Sequence, residues 1–115
     1  MESIKKGDVF WVNFDPTLGA EAKKIRPALV VSNNINNENS PILSIAPVTS
    51  NVTRVYLFEV ELPAETANLT SRSKVMLNQT RAIDKVRFGQ FIGHLSDTLM
   101  EKVNEALKLH YDLGN

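Results

Sequence analysis

The chain contains no cysteine, and that absence excludes three kinds of chemistry. Its 115 residues can form no disulfide, offer no thiolate to a metal and hold no thiol nucleophile. Long hydrophobic runs are also missing, because the longest strictly apolar stretches span only a few residues, as in segment 28–31. Lys5 and Lys6 are followed by no apolar targeting core. The sequence therefore predicts a cytoplasmic protein that has no membrane partner.

Net charge is absent too, since 13 Lys and Arg residues balance 13 Asp and Glu residues. Neutralised phosphates supply most of the non-specific affinity for nucleic acids, so this balance by itself argues against such a partner. The charges are unevenly distributed, however. Residues 95–115 hold two Lys and four acidic residues, which leaves 11 basic and 9 acidic residues in 1–94. The composition thus permits a modest basic surface on the first four-fifths of the chain without showing one.

Familiar catalytic motifs are not found in the sequence. It has no glycine-rich phosphate loop ending in Lys-Ser or Lys-Thr, no dinucleotide-binding glycine motif, no zinc-binding His-Glu-x-x-His and no Gly-x-Ser-x-Gly. The two histidines, His94 and His110, fall at a predicted strand end and on a predicted helix, where packing is the commoner role. A mechanism that needs two catalytic histidines is therefore disfavoured.

Short apolar or alternating runs separated by turn residues predict six strands. They are residues 9–14, 28–32, 42–46, 56–62, 74–78 and 91–95. Pro27 disfavours helix at Arg26, so the second strand is expected to begin after Pro27, and Pro47 is expected to end the third. Residues 33–41 are rich in asparagine and are predicted to form a loop.

The last fifth of the chain changes to a helical period. One predicted stripe contains Leu99, Val103, Ala106, Leu107, His110 and Leu113. Ser96 and Asp97 suit the cap and first turn of this helix, and Gly114 follows its end. Short strands with one amphipathic C-terminal helix predict a single domain, residues 1–115, of the α+β class that is mostly β. A small, strongly bent sheet or partly open barrel is the expected architecture.

Arg26 is the foremost candidate for chemistry. Its planar guanidinium matches a phosphate group, and Pro27 restrains the backbone that presents it. The alternative is a surface arginine that pairs with Glu21. Lys23 and Lys24 precede it and could add local positive charge, although such lysines are usually just part of a solvated loop.

Two further groups of polar residues follow predicted strands, where a rigid scaffold meets solvent. Thr49, with Ser50 and Asn51, could donate to phosphate oxygens, but a hydroxyl that satisfies its own turn is the commoner arrangement. Gln79 and Arg81 could read base edges, whereas an Arg81–Asp84 surface pair explains part of that group equally well. Base stacking on Trp11 or Phe14 is a further option, but aromatic residues in such a strand are more often core.

Several motifs taken together resemble one family. They are GDVFWV (7–12), DP (15–16) with Gly19 and Glu21, RPALVVS (26–32), PVTS (47–50) and VMLNQTRAIDK (75–85). This combination resembles the MazF/PemK toxins, the mRNA interferases of bacterial toxin–antitoxin pairs. The resemblance covers nearly the whole chain, including its length and its terminal helix.

The resemblance implies a small SH3-like barrel that works as a homodimer and cuts single-stranded RNA at short sequences without a metal or other cofactor. The products would be a 2′,3′-cyclic phosphate and a 5′-OH. Arg26 and Thr49 would be the catalytic residues. The predicted substrate-binding residues are Thr17, Glu21, Lys23, Lys24, Ser50, Asn78 and Gln79. Some relatives have an acidic residue at the position of Asn78, a departure that bears on sequence preference rather than on the reaction.

The resemblance also implies a cognate antitoxin whose acidic, disordered tail occupies the RNA channel. Two rival functions remain open at this point. A relative of the same fold poisons DNA gyrase and cuts no RNA, and a degenerate member could bind RNA or antitoxin without turnover. The sequence does not identify the general base, because arginine is a poor base. Glu21 is one candidate, although a role in lining the channel is favoured for it.

Overall fold

The computed structural model describes residues 3–114. Within that range the elements are β1 (Asp8–Asn13), β2 (Ile25–Val30), α1 (Asn34–Asn39), β3 (Ile42–Thr49), β4 (Glu59–Leu62), β5 (Ser73–Met76), β6 (Arg81–Asp84), β7 (Phe88–His94) and α2 (Asp97–His110). Short 3-10 turns lie at Thr66–Asn68, Leu77–Gln79 and Lys85–Arg87. The predicted α+β class, mostly β with a C-terminal helix, is confirmed.

The strands pair antiparallel in the order β4-β5-β3-β2-β1-β7. The long strand β3 changes partners along its length: residues 42–45 pair with β6, residues 45–47 with β2, and Val48 and Thr49 with β5. Changing neighbours in this way bends the sheet around β3. Apolar side chains form two buried clusters, one that includes Val9, Leu29 and Leu62 and one that includes Phe14, Leu43 and Ile83. Arg26 is the second residue of β2 and Thr49 the last residue of β3.

Helix α2 packs on the first of these clusters. Val103 and Ala106 are buried there, and Leu99 and Leu107 are partly buried against it. The Ser96 hydroxyl accepts from the Leu99 amide at 3.3 Å, so the predicted cap is present. The predicted stripe extends too far at its end, because His110 is exposed and Leu113 lies beyond the helix. Among the described residues, neither helix has the length and apolarity needed to cross a bilayer.

The predicted loop at 33–41 is wrong in part, because residues 34–39 form the short helix α1. Asn33 caps it by accepting from the Asn36 amide at 2.8 Å. Asn37 is buried, donates to the Ser32 carbonyl at 2.9 Å and accepts from the Ser32 hydroxyl at 2.5 Å. Side-chain amides hold this turn rather than an apolar face, so the sequence carries no helical period to predict it.

Proline does not limit the strands as predicted. β2 begins at Ile25, before Pro27, and β3 continues through Pro47 to Thr49. Both prolines sit at paired positions, Pro27 opposite Trp11 and Pro47 opposite Ala28. Proline fits a strand where its missing N–H is not needed for the ladder. Arg26, next to the first residue of β2, and Thr49, the last residue of β3, therefore belong to paired strands rather than to free loops.

The remaining strand boundaries shift by a few residues, and one strand was missed. β4 begins only at Glu59, three residues later than predicted, while β7 starts at Phe88 rather than Phe91. The missed strand is β6, Arg81–Asp84, which pairs with residues 42–45. It has four residues and only one buried apolar side chain, Ile83, so its periodicity is too short to read.

Candidate active site

Arg26 and Thr49 come together through the pairing of β2 with β3. Ala28 lies opposite Pro47 in the last pair of β2 with β3, and Arg26 and Thr49 each lie two residues beyond that pair in the same direction, on the same face of the strand as the paired residue. Side chains at opposite positions of an antiparallel pair project to the same face. Both residues line one cavity of about 540 Å³, and both also border an adjoining groove of about 480 Å³. The two predicted catalytic residues thus share one site.

The Arg26 guanidinium is anchored at one end and open at the other. Its Nε donates to the Lys23 carbonyl at 3.0 Å, and within residues 3–114 its two terminal nitrogens have no acceptor. The predicted alternative, a pair with Glu21, is not formed among the described ion pairs. The Glu21 carboxylate instead accepts from the Leu18 amide at 2.7 Å. Arg26 therefore presents a fixed, open pair of donors to the cavity.

The Thr49 hydroxyl satisfies its own turn, as the alternative arrangement predicts. Its oxygen accepts from the Asn51 amide at 3.2 Å. A hydroxyl can accept and donate at once, so this bond leaves the Thr49 O–H proton available to a second oxygen. Ser50 is exposed and lines the adjoining groove rather than the cavity itself. The turn thus orients the Thr49 donor without consuming it.

The loop between β1 and β2 forms one wall of the cavity. The Phe14 amide donates to the Lys24 carbonyl at 2.9 Å, and the Lys24 amide donates to the Asp15 carboxylate at 2.9 Å, which closes the base of the loop. Residues 19–24 line the cavity. Thr17 does not line it, and its hydroxyl donates to Asp15 at 3.4 Å. Of the predicted loop contacts, Glu21, Lys23 and Lys24 reach the cavity and Thr17 only flanks it.

Gln79 ties this loop to the body of the protein. Its side-chain oxygen accepts from the Ala22 amide at 2.6 Å, and its nitrogen approaches the Met76 sulfur at 3.6 Å. Asn78 beside it is exposed, and the two line a neighbouring cavity of about 560 Å³ with Glu21. Gln79 can therefore offer an RNA nucleobase mainly its N–H donors, because its side-chain oxygen already accepts a hydrogen bond from Ala22.

Arg81 does not form the predicted pair with Asp84. It donates to the Phe14 carbonyl at 3.0 Å, and its guanidinium lies 5.8 Å from the centre of the Phe14 ring. Asp84 instead caps the following turn by accepting from the Val86 amide at 2.9 Å. Arg81 is thus a second anchor of the loop between β1 and β2.

The histidines and aromatic residues considered as candidates have different environments. His94 pairs with Asp8 at 2.7 Å, and the ring of His110 packs 4.8 Å from that of Tyr111. Phe14 is fully buried, as the core interpretation predicts. Trp11 is 43% exposed and lines the groove beside Arg26 and Thr49, so it remains accessible to a ligand.

The cavity is strongly basic although the chain has no net charge. Its lining contains four basic side chains and one acidic one: Lys23, Lys24, Arg26, Lys74 and Glu21. Sequence reasoning missed Lys74, a buried residue of β5 that lies opposite Thr49. The sequence offered one signal for Lys74, its position next to Val75 in a predicted strand. Neighbouring side chains in a strand project to opposite faces, so Lys74 was expected on the face opposite to Val75. An anionic ligand such as a phosphodiester fits this set of donors.

The fold and the cavity define a class of small, mostly β proteins with a basic site at the ends of paired strands. The crystal structure of MazF from Deinococcus radiodurans has this fold, with a TM-score of 0.84 and 27% identity over 98% of this chain and 100% of that one. The family model for PemK-like, MazF-like toxins of type II toxin–antitoxin systems matches residues 5–111. The chain belongs to this family.

Two curated relatives agree with the family assignment. Endoribonuclease EndoA of Bacillus subtilis is 37% identical over 107 residues, which cover 92% of each chain. Endoribonuclease MazF9 of Mycobacterium tuberculosis is 38% identical over 115 aligned positions, with 96% of this chain and 98% of the relative covered. The chain is accordingly an endoribonuclease toxin, and an antitoxin is its partner.

Proposed function

We propose that this toxin cleaves single-stranded RNA at short sequences, without a metal or other cofactor, and that Arg26 and Thr49 act on the scissile phosphate. The observation that carries the proposal is their shared cavity, in which the terminal nitrogens of Arg26 and the hydroxyl proton of Thr49 are uncommitted within residues 3–114. Both elements that hold them are paired strands. The donors are therefore preorganised before substrate arrives.

The proposed reaction uses the ribose 2′-OH as the nucleophile. Its oxygen attacks the adjacent phosphorus, the bond from phosphorus to the 5′-oxygen breaks, and a 2′,3′-cyclic phosphate and a 5′-OH remain. The substrate itself supplies the proximity of the attacking group. The 2′-OH proton leaves to a base, and the departing 5′-oxygen gains a proton.

Arg26 is assigned the role of phosphate clamp and proton donor to the leaving oxygen rather than that of base. An arginine guanidinium stays protonated at neutral pH, so it has no free lone pair for the 2′-OH proton. Thr49 adds one more hydrogen bond to a non-bridging oxygen. The Glu21 carboxylate lines the cavity but already accepts from Leu18, which suits a lining role. The base stays unassigned.

The surrounding residues are assigned to substrate binding. Lys23 and Lys24 would attract the RNA backbone, and the amide groups of Asn78 and Gln79 would contact bases in the neighbouring cavity. Ser50 borders the adjoining groove, and Thr17 lies in the loop between β1 and β2, beside the cavity. Short recognition sites need only a few such contacts.

The same basic cavity supports a proposal about how the antitoxin binds. An acidic, disordered antitoxin tail that folds on binding would place its carboxylates among the four basic side chains and exclude RNA. The chain is further proposed to act as a homodimer in the cytoplasm.

The proposal is tested by cleavage of a labelled single-stranded RNA in the presence of a metal chelator. Arg26→Ala and Thr49→Val are each expected to reduce the rate by at least about 10² to 10³, the usual cost of one lost donor to the developing charge, because the first removes two donors and the second removes one. Arg72→Ala is the matched arginine control, since Arg72 pairs with Glu61 outside the cavity. Fragment ends should carry a cyclic phosphate, and sequencing the 5′ ends of the fragments gives the recognition site.

Other outcomes identify the rival functions. RNA that is bound by the wild-type protein but never cut would indicate an inactive binding module. Inhibition of DNA gyrase without RNA cleavage would indicate a gyrase poison of the same fold. Full activity of a folded Arg26→Ala variant would contradict the assigned site.

A further inference from the structure

Lys74 is the residue of the basic cavity that no sequence motif singles out. It lies in β5 between two neighbouring strands, opposite Thr49 on β3 and opposite Glu61 on β4. Its side chain is only 11% exposed, and it lines the cavity that Arg26 and Thr49 share. A lysine so placed is held by its neighbours and faces the predicted phosphate site.

Two of the hydrogen-bond donors of Lys74 are committed. Its Nζ donates to the Glu59 carboxylate at 2.9 Å and to the Arg54 carbonyl at 2.6 Å. An ammonium group has three N–H donors. Within residues 3–114 no hydrogen-bond acceptor takes the third, and Nζ lies 5.9 Å from the centre of the Tyr56 ring. That donor is the part of the side chain that remains for a ligand in the cavity.

The Glu59 carboxylate accepts hydrogen bonds from two groups. The oxygen that accepts from Lys74 also accepts from the Tyr56 amide at 2.9 Å, and the Glu59 side chain is 5% exposed. The cavity itself adds Lys23, Lys24 and Arg26 against one Glu21. Lys74 and Glu59 together carry no net charge, so the excess of positive charge that an arriving phosphate would meet comes from Lys23, Lys24 and Arg26, and Lys74 adds a buried donor that two hydrogen bonds hold in place.

We propose that Lys74 is a substrate-binding residue, which donates its third N–H to a phosphate oxygen of RNA in the cavity beside Thr49. The inference rests on the proposed function and deepens it. Lys74 also fastens segment 54–56 through the Arg54 carbonyl and Glu59, so loss of activity alone would not separate binding from structure. Salt dependence separates them, because only a contact between a cation and a phosphate changes the number of counterions released.

The test measures two quantities over a series of NaCl concentrations: cleavage of a single-stranded RNA, and binding of its 2′-O-methyl form, which cannot be cut. Lys74→Met is expected to lower affinity at low salt by about 10- to 100-fold, as for loss of a charged hydrogen bond. The slope of log affinity against log salt should fall in magnitude by about 0.7, the value for one phosphate contact with a single strand. Lys74→Arg should keep the wild-type slope.

Control and paired variants keep the inference falsifiable. Lys5→Met makes the same charge change before β1, at the end of that strand away from Arg26, and should leave the slope unaltered. If Lys74→Met does not fold, the double variant Lys74→Met/Glu59→Gln replaces it, because removing both charges leaves no buried ion unpaired.

The outcomes for Lys74 and for the nuclease proposal are distinct. A folded Lys74→Met or double variant with the wild-type salt slope overturns the role of Lys74, whatever its cleavage rate. A wild-type protein that binds the 2′-O-methyl RNA and never cuts the natural form contradicts the nuclease proposal. In that case, the slope of log affinity against log salt still tests whether Lys74 contacts a phosphate.

Discussion

Glu61 and Arg72 form an ion pair at the exposed margin of β4 and β5. The hydrogen bond from Arg72 lowers the pKa of Glu61 from its ordinary value, and the same bond raises the pKa of Arg72. A lowered carboxyl pKa stabilises the folded state at pH values above the ordinary one, and the contribution is lost as the pH falls through the lowered value. Since both side chains are well exposed, the effect on stability should be small.

Replacing Arg72 should return the pKa of Glu61 towards its ordinary value. In Arg72→Ala the carboxylate loses its donor, so its protonated form appears at a higher pH during an acid titration followed by NMR of the side-chain carboxyl. Arg87→Ala is the control, because Arg87 donates to the Asn13 and Asp15 carbonyls rather than to Glu61. An identical Glu61 titration in wild type and Arg72→Ala would show that the pair does not persist in solution.

At the scale of elements, strand β7 contains a glycine, Gly93, against which the backbone of another segment packs. A Cβ on Gly93 would collide with the backbone of Ala67 in the turn Thr66–Asn68. Backbone cannot move aside as a flexible side chain can, so the strand and the turn approach closely only because this position lacks a side chain. Asn68 holds the same contact by donating to the Ile92 carbonyl at 2.7 Å.

Gly93→Ala should therefore destabilise the protein by about 1 to 3 kcal/mol, the usual cost of overpacking. Thermal unfolding followed by circular dichroism would measure the change. Gly89→Ala in the same strand is the matched control, because its added Cβ would meet the Cβ and the carbonyl oxygen of Trp11 only at 3.4 Å, which is ordinary van der Waals contact. Equal melting temperatures for the two variants would mean that the turn shifts freely away from β7.

The two helices show which elements a sequence pattern can predict. α2 was predicted because Val103, Ala106 and Leu107 repeat with the helical period and pack on the core. α1 was not, since asparagine side chains rather than an apolar stripe stabilise it. Strand β6 was missed for a related reason: its pairing with β3 is a tertiary contact, and four residues are too few for alternation to be recognised.

At the scale of the whole molecule, the absence of net charge conceals a basic cavity. The chain has equal numbers of acidic and basic residues, yet four basic side chains and one acidic side chain line the site. Two of the four, Lys23 and Lys24, are adjacent in the sequence, whereas Lys74 belongs to β5, which lies far from them along the chain. Net charge therefore says little about a partner when folding gathers charges of one sign.

The proposed homodimer gives a prediction for the intact protein. Sedimentation at micromolar concentration should show a species of twice 12.8 kDa, because the apparent mass reports association directly. Dilution should then reveal the dissociation equilibrium. A single species of 12.8 kDa at micromolar concentration would remove the dimer from the proposal.

The amino-acid sequence by itself determined the class of the fold, the C-terminal helix and the residue types of the candidate site. A planar cation at Arg26 and a hydroxyl at Thr49 are local properties, and so is the period of α2. The tertiary structure alone decided that Arg26 and Thr49 share a cavity, that Lys74 lies opposite Thr49 and that Gln79 and Arg81 anchor the loop of residues 14–24. These facts depend on strand register and side-chain direction, which non-local pairing sets and which no local stretch of sequence contains.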